Sequence, residues 1–130
     1  MNEQVANKIE RLKAGEILIS KEPGNSMEPI LKSREPVILT PLDWETAKKV
    51  IKKGDIVFSK IHGTCYTHKV YAVDQSRGLL IGNNCGHENG YTTEIYAKAH
   101  LIPGARTMTN AELKEYLKEF KEKWVGYGEV

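Results

Sequence analysis

The stretch "CYTHKVYAV", residues 65–73, is rich in β-branched and aromatic residues and alternates along its length. Alternation places Tyr66, His68, Val70 and Ala72 on one face and Cys65, Thr67, Lys69, Tyr71 and Val73 on the other, which is a strand pattern. The face bearing His68 is the more apolar, so His68 is expected to point inward and Lys69 outward. Burial lowers a histidine pKa and keeps the ring neutral, the form a general base needs.

Four more short segments share this character: "EPVILT", "DIVFSKI", "GLLIGN" and "AKAHLI", punctuated by Gly, Asn and Asp. Three others have helical spacing. Val5, Ile9 and Leu12 recur at i, i+4 and i+7, with Gly15 as a stop. "TPLDWETAKKVIKKG" offers Thr40 as N-cap, Pro41 in the first turn and Gly54 at the end. The third opens with the capping box Thr109-x-x-Glu112 and carries Leu113, Tyr116, Leu117, Phe120 and Trp124 along one face. The fold expected is mostly β (α+β), a single domain over residues 1–130. It has an N-terminal helix (1–15), a β core (24–106) containing an inserted helix, and a C-terminal helix (109–124).

Apolar residues make up 40% of the 130, enough for one core, and Lys+Arg 19 against Asp+Glu 17 leaves no electrostatic footprint for nucleic acid. There is no apolar run long enough for a membrane anchor and no signal-peptide pattern, so a cytoplasmic protein is expected. Cys65 and Cys85 do not make a disulfide framework. His62, Cys65, His68, Cys85 and His87 are metal-ligand types, but a strand places Cys65 on the face opposite His62 and His68, so no metal and no other cofactor is expected.

The chemistry-bearing segment is "GNSMEPILK", residues 24–32. A serine after the turn-formers Gly24 and Asn25 is exposed, and its own N–H can donate. A serine nucleophile needs a base for its proton and donors for the oxyanion. Taken alone, Ser26 is more simply read as capping or bending a turn.

"SMEPILKSREPVIL" resembles the Ser-Met-x-Pro segment of the signal peptidase I family and of the related LexA-type self-cleaving repressors. "KKGDIVFSK" resembles their Gly-Asp-Ile-Val strand, "YTHKVYAV" the strand bearing the base, "LLIGNNCGHENG" the Gly-Asp-Asn box, and "HLIPGAR" the closing strand. The pieces occur in family order over roughly 24–106. The resemblance implies a coiled antiparallel β domain and a soluble serine endopeptidase cutting beside small residues. Its substrate would be a polypeptide bound as an extended strand. Ser26 matches the nucleophile and His68 the base, as in the archaeal and endoplasmic-reticulum branch, with Lys69 as alternative base. Glu88 falls where a later acidic residue would orient the imidazole. Asn83 stands at the Asp of the box and would support its turn, while Asn25, Met27 and Pro29 complete the substrate and oxyanion loop. The sequence departs from the family in lacking a membrane helix and the repressors' DNA-binding domain. Arg34-Glu35 replaces the usual Gly-Asp, and Gly24 replaces a hydroxyl residue. The Ala14–Gly15 bond lies too near Ser26 for the usual self-cleavage. These departures suit a soluble relative of the kind phages and mobile elements carry. They equally suit an inactive member that binds through a sheet edge or its C-terminal helix.

Overall fold

The computed structural model describes residues 3–24 and 26–127, and shows an α+β fold of three helices and a seven-stranded antiparallel sheet. In chain order the elements are α1 (Glu3–Lys13), β1 (Leu18–Ser20), β2 (Val37–Pro41), α2 (Trp44–Val50), β3 (Ile56–Ile61) and β4 (Thr64–Asp74). They continue with β5 (Gly78–Gly82), β6 (Glu88–Thr92), β7 (Ile95–Leu101) and α3 (Asn110–Lys123), a 3₁₀ turn at Ala105–Thr107 preceding α3. The strands lie in the order β1-β2-β7-β3-β4-β5-β6.

Period-2 patterning has a direct consequence in β3. Ile56 and Phe58 enter one core layer with Leu18, Val37, Leu39, Ala97 and Ala99, which α1 covers with Ile9 and Leu12. Val57 and Ile61 enter the opposite layer with Val70, Leu79, Ile81 and Ile95, closed by Ala47 of α2 and by Ile51 just after it. A third, smaller layer joins Ile38 and Ile102 to Leu113 of α3. The sheet curls at its far end. The Lys60 N–H donates to Glu94 O at 2.9 Å, and Thr92 Oγ1 donates to Lys60 O at 2.6 Å, so the chain leaving β6 returns to β3.

Local signals set most of the helix ends. Gly15, at φ +91°, follows α1, in the left-handed conformation that glycine adopts without a Cβ penalty. Thr109 and Glu112 bond reciprocally across the first turn of α3. The inserted helix differs from expectation. Thr40 and Pro41 belong to β2, and Asp43 caps α2 by accepting from the Thr46 N–H at 3.0 Å. Thr40 is fully buried and paired with Lys98 of β7, and this tertiary pairing outweighs its propensity as a cap. The alternation along β4 also breaks. A bulge at Tyr71 between the Val70–Ile81 and Ala72–Leu80 pairs brings Val73, rather than Ala72, onto the core face of Val70.

Candidate active site

Ser26 heads a compact turn. Its neighbours Met27 and Leu31 are buried in the α1 layer, and the Leu31 N–H donates to Met27 O at 2.9 Å, while Ser26 itself stays exposed. The loop is therefore held by two apolar anchors with the hydroxyl left outside. Pro29 is exposed and follows a cis peptide bond. Its carbonyl receives Arg106 Nη2 at 3.4 Å, and Arg106 also pairs with Glu35 at 2.8 Å. Asn25 lies outside the described residues.

Ser26 Oγ is 3.1 Å from His68 Nε2. His68 is buried on β4, paired with Val57 of β3 and stacked on Tyr66 with ring centroids 4.6 Å apart. Its Nδ1 is 2.8 Å from Asn89 Oδ1. A carbonyl oxygen can only accept, so Nδ1 carries the proton and Nε2 is left as the acceptor facing the serine hydroxyl. Burial pushes the imidazole below its ordinary 6.5. The bond to Asn89 and the charge of Glu22 pull it back upward, and His87 lowers it. The result is a neutral base in the tautomer that proton abstraction from Ser26 requires.

The residue on Nδ1 corrects an expectation. Glu88 is exposed and does not meet the imidazole; the next residue, Asn89, does. The cause is a bulge in β6. Gly82 pairs with Glu88 and Ile81 with Gly90, so Asn89 is the extra residue, and its side chain is re-aimed toward β4. The dipeptide Asn89-Gly90 was the available signal, because Gly90 at φ +127° is the kind of residue a bulge uses.

Asn83 lines the same groove as Ser26, and its hydrogen bonds go to its own turn and to Tyr71. Its Oδ1 accepts from the Cys85 and His87 N–H groups at 2.9 and 3.0 Å, and its carbonyl accepts the Tyr71 hydroxyl. It shapes the turn between β5 and β6, which Gly82 allows to close. A Cβ on Gly82 would collide with the His87 carbonyl. Lys69 is not brought to the serine. It projects from the other face of β4, with Nζ 3.5 Å from Asn84 Oδ1 and 5.4 Å from the Tyr71 ring centroid. As an alternative base Lys69 is therefore corrected: adjacent strand residues face opposite ways, and His68 has the serine. Among the described residues no group of three His, Cys, Asp or Glu side chains could hold a metal ion. Cys65 and Cys85 are free thiols.

Around the pair lies a groove of about 500 Å³, lined by Glu22 and Pro23 before the serine turn, by Met27, Leu31 and Val37, and by Cys65 through His68 of β4. Glu22 was not singled out from the sequence. It accepts from Thr67 Oγ1 and pairs with Lys8 of α1 at 3.3 Å. Among the described residues, one edge of β4 pairs with no strand here. Residues 64–68 pair with β3, whereas pairing with β5 begins only at Lys69–Gly82. The groove thus presents unpaired strand backbone directly beside the Ser26–His68 contact, an arrangement able to align an extended peptide.

The chain matches no protein-family model, and no curated protein or solved structure matches it at a significant level. No described helix is long and apolar enough to cross a membrane.

Proposed function

We propose that this chain is a serine endopeptidase of the signal peptidase/LexA type, with a Ser26–His68 dyad oriented by Asn89. The observation that carries the reading is the relay from Ser26 Oγ to His68 Nε2 at 3.1 Å and from Nδ1 to Asn89 Oδ1 at 2.8 Å. The motif order in the sequence and the mostly β architecture support it.

In this reading a peptide substrate adds as a strand to the free edge of β4, its scissile carbonyl over Ser26. The serine oxygen attacks the carbonyl carbon as its proton passes to His68 Nε2. The oxyanion receives the Ser26 N–H at the head of the turn. Collapse breaks the C–N bond, and the imidazolium returns the proton to the departing amine. A water then repeats the sequence on the acyl-serine ester, with His68 again taking and returning a proton, and releases the carboxyl product.

One observation favours a second reading, a module that binds a peptide on the same edge without cutting it. Asn89 orients the imidazole but has no charge to stabilise the imidazolium that catalysis forms. A fluorophosphonate probe with mass mapping, alongside cleavage of Ala-rich peptides, separates the two. The peptidase reading expects labelling on Ser26 and its loss in Ser26→Ala and His68→Ala. Absence of both labelling and cleavage in the wild-type protein, with peptide binding retained, would establish the binding module instead.

A further inference from the structure

The serine turn is held by more than its apolar anchors. Met27 and Leu31 fix its depth against the α1 layer, but two buried side chains on one side of a turn leave the backbone torsions at its head open to adjustment. Asn84 makes two hydrogen bonds that remove this freedom. Its backbone N–H donates to Ser26 O at 2.8 Å, and its side-chain Nδ2 donates to Glu28 O at 3.1 Å. These carbonyls belong to the Ser26–Met27 and Glu28–Pro29 peptides, so Asn84 pins the peptide that leaves Ser26 and a second one further along the same turn, and with them the direction of the Ser26 side chain.

Asn84 is itself fixed from β4. Lys69 Nζ lies 3.5 Å from Asn84 Oδ1, which keeps the amide oxygen toward the cation and the amide NH₂ toward Glu28. Tyr71, two residues further along the strand, donates its hydroxyl to the carbonyl of Asn83. Consecutive residues of β4 therefore serve the two halves of the dyad: His68 carries the base, and Lys69 steadies the residue that holds the nucleophile's loop.

We propose that Asn84, steadied by Lys69, is a positioning residue that sets the orientation of Ser26 toward His68. The inference rests on the peptidase reading for its kinetic consequence but not for its structural one. Reacting groups must sit within about 0.5 Å and 10–20° of productive geometry, so a loosened turn costs turnover more than substrate binding.

The decisive variant is Asn84→Asp, which keeps shape and volume but offers only acceptors to the Glu28 carbonyl. Asn84→Ala and the pair Lys69→Met and Lys69→Arg accompany it, each as full chain with a thermal melt. Two readouts are taken: the rate of Ser26 labelling by a fluorophosphonate with peptide kcat and KM, and the His68 imidazole ¹⁵N resonances, which report the Ser26 contact without turnover. We expect Asn84→Asp and Asn84→Ala to slow labelling and kcat by roughly tenfold or more, with KM within about twofold. Their His68 Nε2 resonance should move toward that of Ser26→Ala. Lys69→Met should show a weaker form of both effects, and Lys69→Arg should restore them. Labelling and kcat equal to wild type in folded Asn84→Asp, with an unmoved His68 resonance, would overturn the proposal. If wild-type protein neither labels nor cleaves, the peptidase reading fails, and the resonance comparison alone decides the positioning role. A shift in the Asn84 variants upholds it, and none removes it.

Discussion

Two histidines of this chain, His68 buried and His100 half-buried, each meet a hydroxyl through Nε2: His68 reaches Ser26 at 3.1 Å, and His100 reaches Thr40 at 2.7 Å. Judged by that contact alone, the second pair is the tighter. Its surroundings are different. Thr40 is fully buried in β2 and also receives the Tyr127 hydroxyl at 2.8 Å, while Phe120 and Trp124 stand edge-on to the His100 ring at 5.3 and 5.2 Å. Among the described residues no Asn or acid is bonded to the other nitrogen of His100, and the pair is a polar contact beneath α3 and the segment after it. Ser26 is exposed on a turn, beside a groove and a β4 edge that no described strand pairs, with its histidine held at both nitrogens. A hydroxyl–imidazole bond is ordinary structural chemistry in a core. Access, an oriented tautomer and room for a carbonyl make it a candidate for catalysis.

The sharpest way to break this contrast is to remove each pair in turn. Ser26→Ala and His68→Ala should each lower peptide cleavage by roughly a thousandfold or more, and the double variant should be no worse than either single one. Thr40→Ala and His100→Ala should leave kcat/KM near wild type in protein that is still folded. Their cost should appear in denaturant melts instead, on the order of 1–3 kcal/mol each, because a buried polar partner loses its bond. Ser26→Ala should change stability by less than about 0.5 kcal/mol, since an exposed turn serine packs against little. Cleavage lost equally in the His100 variants would erase the distinction.

A smaller effect should follow at the second nitrogen of His68. Asn89→Ala removes the acceptor that holds the tautomer, and kcat should fall by roughly 10- to 100-fold with little change in KM. Asn89→Asp adds a charge that favours imidazolium. The acid limb of the pH–rate profile should then move to higher pH, away from its wild-type position below the ordinary 6.5 of histidine. A limb that stays in place would show that Asn89 does not govern the base.

Acid stability should single out the other histidine. Burial, helped by the charge of Lys98 and opposed by Asp55, pushes the His100 pKa down to about 4. Between that value and the ordinary 6.5 the unfolded chain binds a proton that the folded chain refuses. Stability from this site is therefore full above about 6.5 and falls as pH drops through the window toward 4. His100→Gln, which retains a partner for Thr40, should flatten the pH dependence of urea midpoints across that window. An unchanged slope would assign the acid sensitivity elsewhere.

The smallest expected effect belongs to Glu88. Glu88→Gln should alter neither cleavage nor melting, because its carboxylate is exposed and the bulge gives its place to Asn89. Any loss beyond about twofold in kcat/KM would return Glu88 to the mechanism.

Local rules in the sequence were sufficient for several features. Alternation along β4 put His68 inward and Lys69 on the opposite face, which is itself half-covered in the structure, because the side-chain period of a strand is a property of its backbone. The Thr109–Glu112 box and Gly15 marked helix ends through bonds and torsions that lie within one turn. The turn-formers before Ser26 foretold an exposed hydroxyl. What sequence could not supply were the contacts made across the sheet. β1 and β6 are short and weakly patterned, and they exist as strands through their pairing with β2 and β5. Thr40 went into β2 because β7 lay beside it. Asn89 displaced Glu88 because a single inserted residue in one strand turns every later side chain to the opposite face, a consequence that depends on the partner's register. Asn84 came to the serine turn because the β5–β6 turn folds back over a loop more than fifty residues earlier in the chain. Periodicity and capping are carried by neighbours along the chain; register and loop docking arise only when distant segments close on one another, and these decided which residue is bonded to the far nitrogen of His68 and which one is bonded to the Ser26 turn.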